Sequence, residues 1–389
     1  MRLFLVVLLL TVGCDEAPLF SDDFEGTLNA PASFQVFPGT NIALLSNTNI
    51  NLQEPFGSLI AYDVDTQTVL EDTKHYTVNF GIRPLIDNDR ERILIPDLDR
   101  YVRVYSFQIP GEDGLAISFD EEEVTPIISN SLTNAFEADD VPSDIALVET
   151  QDYGDIYIVL NQLGTMTIVD ADSLEVTDLN DEDRYEGLRI TSALTIDQNK
   201  KYPARGVSRM SKNPDTGLFY LLHPSSNFVY LFDAEHIENE GVISFLSLAG
   251  NTSGVRSVAF DGAGRGYFAH AGLQSILVVD VSQITDNGIS FEVIDPVVIN
   301  TIPLFGIPNE IILNDAQDTA FVSLQDSNEV LQIDLATLLI TNRITLSEGR
   351  GPGSLFFETG SSELISLDFF SNTLTRMDST TLSEIEVLP

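Results

Sequence analysis

The chain has 389 residues, room for two or three ordinary domains or for one closed all-β array. Its 43% hydrophobic content, with 23 Phe and 11 Tyr, supplies ample core. Sixty acidic residues against 19 basic ones give a formal charge of −41 and a pI near 4.1, which argues against nucleic acid or an anionic membrane surface as a partner.

At the start of the chain Arg2 precedes an apolar run, Leu3 to Leu10, and then Thr11, Val12, Gly13 and Cys14. Such a run falls short of the roughly 20 residues that span a bilayer and suits the apolar segment of a secretory signal. Gly13 before Cys14 resembles the lipobox of bacterial lipoproteins, whose Cys becomes the lipidated first residue of the mature chain. Thr11 departs from that pattern, which places Leu three residues before the Cys. Cys14 is the single Cys of the sequence, and acylation would remove the free thiol an exported protein would otherwise carry. The resemblance implies a signal peptide over 1–13, lipidation at Cys14, and a lipid anchor in the cell envelope on the outer or inner membrane, periplasmic or surface-exposed. An ordinary signal peptide is the alternative. Residues 14–32 carry Pro, Gly and acidic residues without apolar periodicity and read as a flexible tether.

Beyond Ser33 the same sentence recurs about seven times. Polar turns between two apolar strands stand at Asp87 to Ile93, Glu149 to Ile156, Asn213 to Phe219, Asp261 to Tyr267, Asn314 to Ala320 and Glu358 to Leu364. An Asp closes the third strand of most units, at Asp63, Asp170, Asp233, Asp280, Asp334 and Asp378, with Ser106 in the equivalent place of the second; successive spacings are 43 to 64 residues. Units open at Gly81, Val141, Gly206, Gly254, Gly306 and Gly351. These columns predict an all-β chain, a seven-bladed β-propeller of four-stranded antiparallel blades over 33–389. The blades fall at 33–75, 76–129, 141–180, 205–249, 254–300, 306–348 and 351–389. Two connections are long: 107–140, expected to hold an outer strand between Leu115 and Ile128, and 178–205, expected to be an excursion with an extra strand pair over Leu188 to Ile196.

The stretch Ala320 to Asp334, with Phe321-Val322-Ser323 followed by Val330-Leu331-Gln332-Ile333-Asp334, resembles the repeat of bacterial surface propellers of the YVTN type. Asp155 to Asn161 with Thr167 to Asp170 is similar. Related seven-bladed families include lactonase-like enzymes, NHL-type binding modules and cell-surface proteins, so the resemblance implies a fold and leaves the activity open.

His75, His223, His236 and His270 are scattered over different units with no pair at ligand spacing, and with Cys14 spent on the lipid no zinc set emerges. No cofactor is expected. Calcium is the metal the composition allows: Asp87, Asp89, Asp97 and Asp99 cluster, yet without the order of a helix-loop-helix calcium site, and turn chemistry accounts for them. The runs Asp120 to Glu123 and Asp181 to Asp183 read as solvated loop charge. No nucleophile elbow, phosphate-binding loop or dinucleotide fingerprint occurs. The inner-strand openings, aligned on their turns, bring Arg83, Asp144, Arg209, Arg256 beside Ser257, Glu310 and Ser354 to one channel mouth. Arg83, Arg209 and Arg256 there can form a positive spot for a carboxylate or sulfate; alternatively they pair with Asp144 and Glu310 and close the channel. Three functional classes stay open: a monomeric binding or scaffolding module for an envelope protein or glycan, a lactonase-like hydrolase with a channel site, and a structural surface protein.

Overall fold

The structure is a computed structural model, which describes residues 28–48, 57–76, 83–96, 101–108, 118–121, 127–128, 141–162, 164–176, 188–189, 206–239, 242–248, 254–284 and 292–388. These residues form seven sheets in sequence order. The first is β1 (Pro31–Val36), β2 (Ile42–Asn47), β3 (Ser58–Asp63) and β4 (Thr68–Tyr76). The second is β5 (Leu85–Asp87), β6 (Arg92–Pro96), β7 (Tyr101–Gln108) and β8 (Ser118–Glu121), with β9 (Ile127–Ile128) also on β7. The third is β10 (Pro142–Thr150), β11 (Gly154–Asn161), β12 (Thr165–Asp170) and β13 (Leu188–Arg189). The fourth is β14 (Arg209–Lys212), β15 (Phe219–Leu222), β16 (Phe228–Phe232) and β17 (Val242–Ser247).

In the fifth, β18 (Val255–Asp261), β19 (Arg265–His270) and β20 (Ser275–Asp280) are completed by β22 (Val297–Pro303). Between them β21 (Glu292–Ile294) leaves its own blade and pairs parallel with β17. The sixth is β23 (Glu310–Leu313), β24 (Thr319–Leu324), β25 (Glu329–Asp334) and β26 (Leu339–Thr345). The seventh is β27 (Pro352–Glu358), β28 (Glu363–Asp368), β29 (Thr373–Asp378) and β30 (Glu384–Leu388). First strands of neighbouring blades touch one another, as in β10 with β14, β18 with β23 and β27 with β1. The molecule is a seven-bladed β-propeller.

Second and third strands are buried on both faces, which is why they read as short continuous apolar runs rather than alternating ones. The core is correspondingly divided into seven clusters, one between each pair of neighbouring blades. The seam between first and last blades packs Leu28, Phe34, Ile60 and Tyr62 against Ile365, Leu367 and Leu374. Among the described residues no strand is exchanged across it: the first blade is built of β1 to β4 and the last of β27 to β30. Instead the Ala30 N–H donates to Asn372 Oδ1 at 2.7 Å. Leu28, Asn29 and Ala30 are fully buried, so the packed disc begins ahead of Ser33, where the tether was expected to end.

The Asp column is explained by the turns that follow it. Asp63 Oδ1 accepts the N–H groups of Asp65 and Thr66 at 2.9 and 3.0 Å. Asp378 Oδ1 accepts those of Thr380 and Thr381 at 3.0 and 2.8 Å, and Asp170 those of Asp172 and Ser173 at 3.1 and 2.7 Å. A carboxylate at the strand end therefore closes these hairpins by satisfying the next free donors. Two expectations need correcting. Ser106 holds the equivalent place, opposite the first residue of the second strand, but does not end its own strand, since β7 runs on to Gln108. Leu188 and Arg189 are not an added strand pair but the fourth strand of the third blade, paired with Met166 and Thr165; the rest of that stretch, to Ile196, lies outside the described residues.

Candidate functional site

The first strands surround a cavity of about 970 Å³ at the centre of the disc, to which all seven blades contribute. A recurrent backbone device shapes its wall. In β1, β10, β18 and β27 the pairing register slips by one residue, so that Ala32, Ser143, Arg256 and Gly353 have no opposite number. Such bulges bend a strand and re-aim the side chain that follows. Those side chains are Ser33, Asp144, Ser257 and Ser354, and Arg83, Arg209 and Glu310 hold the same place in the other three blades. All but Ser257, which is 1% exposed, line the cavity.

Neighbouring blades are hydrogen-bonded through this level. Asp144 Oδ2 accepts the Met210 N–H at 2.6 Å, Ser257 Oγ accepts the Ile311 N–H at 3.3 Å, and Glu310 Oε2 accepts the Leu355 N–H at 2.7 Å. Each is the same bond one or two blades further round: a side chain at this level takes the backbone donor one residue past the matching position of the next blade. Because Ser257 is short, Arg209 can reach past the fifth blade, and its Nη2 pairs with Glu310 Oε1 at 2.5 Å. Ser354 Oγ donates to the other oxygen of that carboxylate at 2.8 Å.

The electrostatics follow from this crowding. Burial pushes the Glu310 carboxyl up, but the Arg209 and Arg83 guanidinium groups outweigh it and hold the acid below its ordinary range. For Asp144 burial wins: the carboxyl sits above its ordinary range despite Arg83, the Met210 N–H and Arg209. Repulsion from Arg209, then burial, brings the Arg83 guanidinium below its usual value, with Asp144 and Glu310 pulling the other way. Arg83 makes no hydrogen bond or ion pair with any of the described residues. Arg209 spends one nitrogen on Glu310, and its Nε is buried without a partner.

Of the positions singled out in the sequence, Arg83, Asp144, Arg209 and Glu310 therefore meet in one cavity. Arg256 does not line it; its Nη1 reaches Asn309 Oδ1 at 3.4 Å. The wall also holds residues that sequence reasoning missed, among them Lys212, Phe34, Phe260, Phe356, Phe369 and Phe370. Phe369 and Phe370 follow β28, in the connection between second and third strands, and Phe370 is 53% exposed at the mouth. Their adjacency in a turn otherwise made of polar residues was the available signal.

The remaining candidates are absorbed by structure. Asp87 is buried and accepts from Arg90 Nη1 at 3.2 Å and from the Tyr157 hydroxyl. Arg90 goes on to Asp155 and Asp172, each at 2.7 Å, so this acidic group ties the second blade to the third. Asp97, Asp99 and Asp181 to Asp183 lie outside the described residues, as do Glu122, Glu123 and Cys14; Asp120 and Glu121 are strand residues of β8. His223 Nδ1 and His270 Nδ1 accept the N–H groups of Ser225 and Leu273 at 3.1 and 3.2 Å, as turn residues. Among the described residues, no three His, Cys, Asp or Glu side chains are grouped to hold a metal ion, and no helix is long and apolar enough to cross a membrane.

The fold and this wall define a class: a β-propeller with an open, charged and aromatic central channel. No protein-family model matches the sequence, and no curated protein does. Solved structures do. A dihydro-heme d1 dehydrogenase, NirN, in complex with DHE aligns with a TM-score of 0.55 at 13% identity, over 93% of this chain and 66% of that one. A protein from Lactobacillus plantarum aligns with a TM-score of 0.56, also at 13% identity, over 82% of this chain and 86% of that one. At that identity the likeness concerns the fold.

Proposed function

We propose that the chain is a binding module of the cell envelope, held there by a lipid on Cys14, and that its working site is the central channel. The observation that carries this reading is the cavity of about 970 Å³, at the upper end of the ~300–1,000 Å³ range of small-ligand pockets, whose wall combines aromatic side chains with guanidinium donors left unspent. A wall built only to seal the disc would fill that volume and pair those donors. The Arg209–Glu310 pair braces the wall without closing it. The disc supplies rigidity, since an apolar cluster joins each blade to the next and three of the junctions add a hydrogen bond at the level of the cavity wall, and a pre-formed site loses little entropy on binding.

The test is thermal unfolding of the purified full chain against simple carboxylates, sulfate, sugars, neutral aromatics and calcium. A ligand at 100 times its Kd adds about 2.7 kcal/mol, enough to move the transition visibly. A shift with any small molecule supports a channel site; no shift with any of them leaves the outer loops, and a protein or glycan partner, as the working surface. The anchor is tested separately. Cys14→Ser should move the protein from the membrane fraction to the soluble one; an unchanged distribution would remove the lipid.

A further inference from the structure

The hydrogen-bonding capacity of the channel wall is unevenly spent, and the imbalance says what the channel accepts. Its buried acceptors are occupied. Glu310 takes Arg209 Nη2 at 2.5 Å on one oxygen and Ser354 Oγ and the Leu355 N–H, at 2.8 and 2.7 Å, on the other. Asp144 takes the Ile145 N–H at 3.0 Å on one oxygen and the Met210 N–H at 2.6 Å on the other. Its donors are not occupied: an Arg has five N–H groups, Arg209 spends one nitrogen and buries Nε unmet, and Arg83 spends none among the described residues.

The two guanidinium groups line the same cavity and repel each other, while Asp144 and Glu310 attract both. A planar oxyanion reaching both would offset that repulsion and take guanidinium N–H groups that no described residue accepts. A cationic or donor-rich ligand would meet the same guanidiniums and find both carboxylates already engaged. Further round the wall Phe34, Phe260, Phe356, Phe369 and Phe370 offer apolar surface that a bare inorganic ion would leave uncovered.

Resting on the channel reading above, we propose that the channel takes a carboxylate carried on an apolar or aromatic body, its carboxylate held between Arg83 and Arg209 and its body against the Phe wall. Arg83 is the specificity-determining residue, since Arg209 is already committed in part to Glu310. In a molecule of net charge −41 such a site collects an anion against the general field, so its affinity depends on short-range contact rather than on steering.

Isothermal titration of the full chain with benzoate, its neutral isostere benzamide, and acetate separates the parts of the claim. Benzoate should bind at least about tenfold tighter than benzamide, the worth of one charge-assisted pair, and about tenfold tighter than acetate, the worth of the ring. Arg83→Gln should abolish the preference for benzoate over benzamide while leaving benzamide where it was. Equal binding of benzoate and benzamide to the wild-type chain overturns the proposal whether or not the variant folds, as does a preference that survives in a folded Arg83→Gln protein. Benzamide binding with benzoate excluded would sink the carboxylate assignment and leave the channel reading standing. No binding of any probe, together with a flat ligand panel, would remove both.

Discussion

Asp368 shows how one position can be filled in two ways. It ends β28, is fully buried, and accepts from Ser366 Oγ at 2.9 Å, Thr373 Oγ1 at 3.2 Å and the Thr375 hydroxyl, with Arg350 Nη1 at 3.7 Å. Asn47 and Asn161 end the second strands of other blades and donate to hydroxyls there, Asn161 Nδ2 to Thr165 and Thr167 at 3.1 Å each. Burial, against those hydroxyls and Arg350, raises the Asp368 carboxyl above its ordinary range. Its folded pKa exceeds the unfolded one, so its favourable contribution is present below about pH 3.9 and lost as pH rises through the folded pKa. Asp368→Asn should therefore raise stability at pH 7 by about 1 kcal/mol, with little gain near pH 3; a loss at neutral pH in denaturant melts would show that Arg350 makes the charge worth keeping. The hairpin-closing acids behave oppositely. Hydrogen bonds from Thr337 hold Asp334, and those from Thr381 hold Asp378, below the ordinary range. Their stabilisation is present above about pH 3.9 and lost as pH falls through the depressed value, where the unfolded chain binds more protons. Asp334→Asn keeps the acceptor oxygen, so the melting temperature should change little at pH 7 while its fall below pH 4 becomes shallower; an unchanged acid slope would show that the bond to Thr337 does not favour the charged form. At this scale the sequence was informative where chemistry is local. The Asp column was visible because its partners lie two and three residues on. The partners of Asp144 and Glu310 were not, because Met210 and Leu355 lie 66 and 45 residues away on other blades.

Strands and turns were legible wherever hydrophobic runs and Asp, Asn or Gly turns recur in register, which covers the inner three strands of most blades. Outer strands were harder to read. The edge of a blade is half solvated and carries weak pattern: β22 exposes Val297, Val298 and Ile299, and β13 is two residues long in a stretch with no periodicity. The parallel pairing of β21 with β17 joins a loop of the fifth blade to the edge of the fourth, a contact that no repeat column encodes. Bulges were also invisible, since the extra residue is Ala32, Ser143, Arg256 or Gly353 and shares no side-chain type. Arg256 was expected at the channel only as the neighbour of Ser257, the residue that alignment on turns puts in the column, and it does not line the cavity. Gly351, where the last blade opens, has a firmer physical signature. Its φ is +63°, and a Cβ there would lie 2.2 Å from Phe370 Cδ2. Gly351→Ala should cost about 1–3 kcal/mol in denaturant melts through strain and overpacking, and by displacing Phe370 it should weaken any ligand of the channel. A fully stable variant would show that the ring moves away freely.

At the seam between first and last blades the described residues exchange no strand, and side chains and the residues just ahead of β1 hold the two together. Leu28 lies at its centre, fully buried beside Phe34 and Leu374. Leu28→Ala should cost about 2–4 kcal/mol, the usual range for a buried leucine; unchanged thermal unfolding would place the closure elsewhere. A rigid disc held in this way gives the channel its fixed wall, and the absence of Trp from the chain offers a direct means of watching it. Phe370→Trp puts the only indole at the channel mouth, and Phe305→Trp puts one at a site that is 81% exposed and outside the cavity wall. The decisive measurement is the emission of these two variants during titration with benzoate. Saturable change at position 370, with none at 305, is the result expected of a working channel. A flat signal at 370 while benzoate still raises the melting temperature would place the ligand elsewhere on the disc and contradict the account.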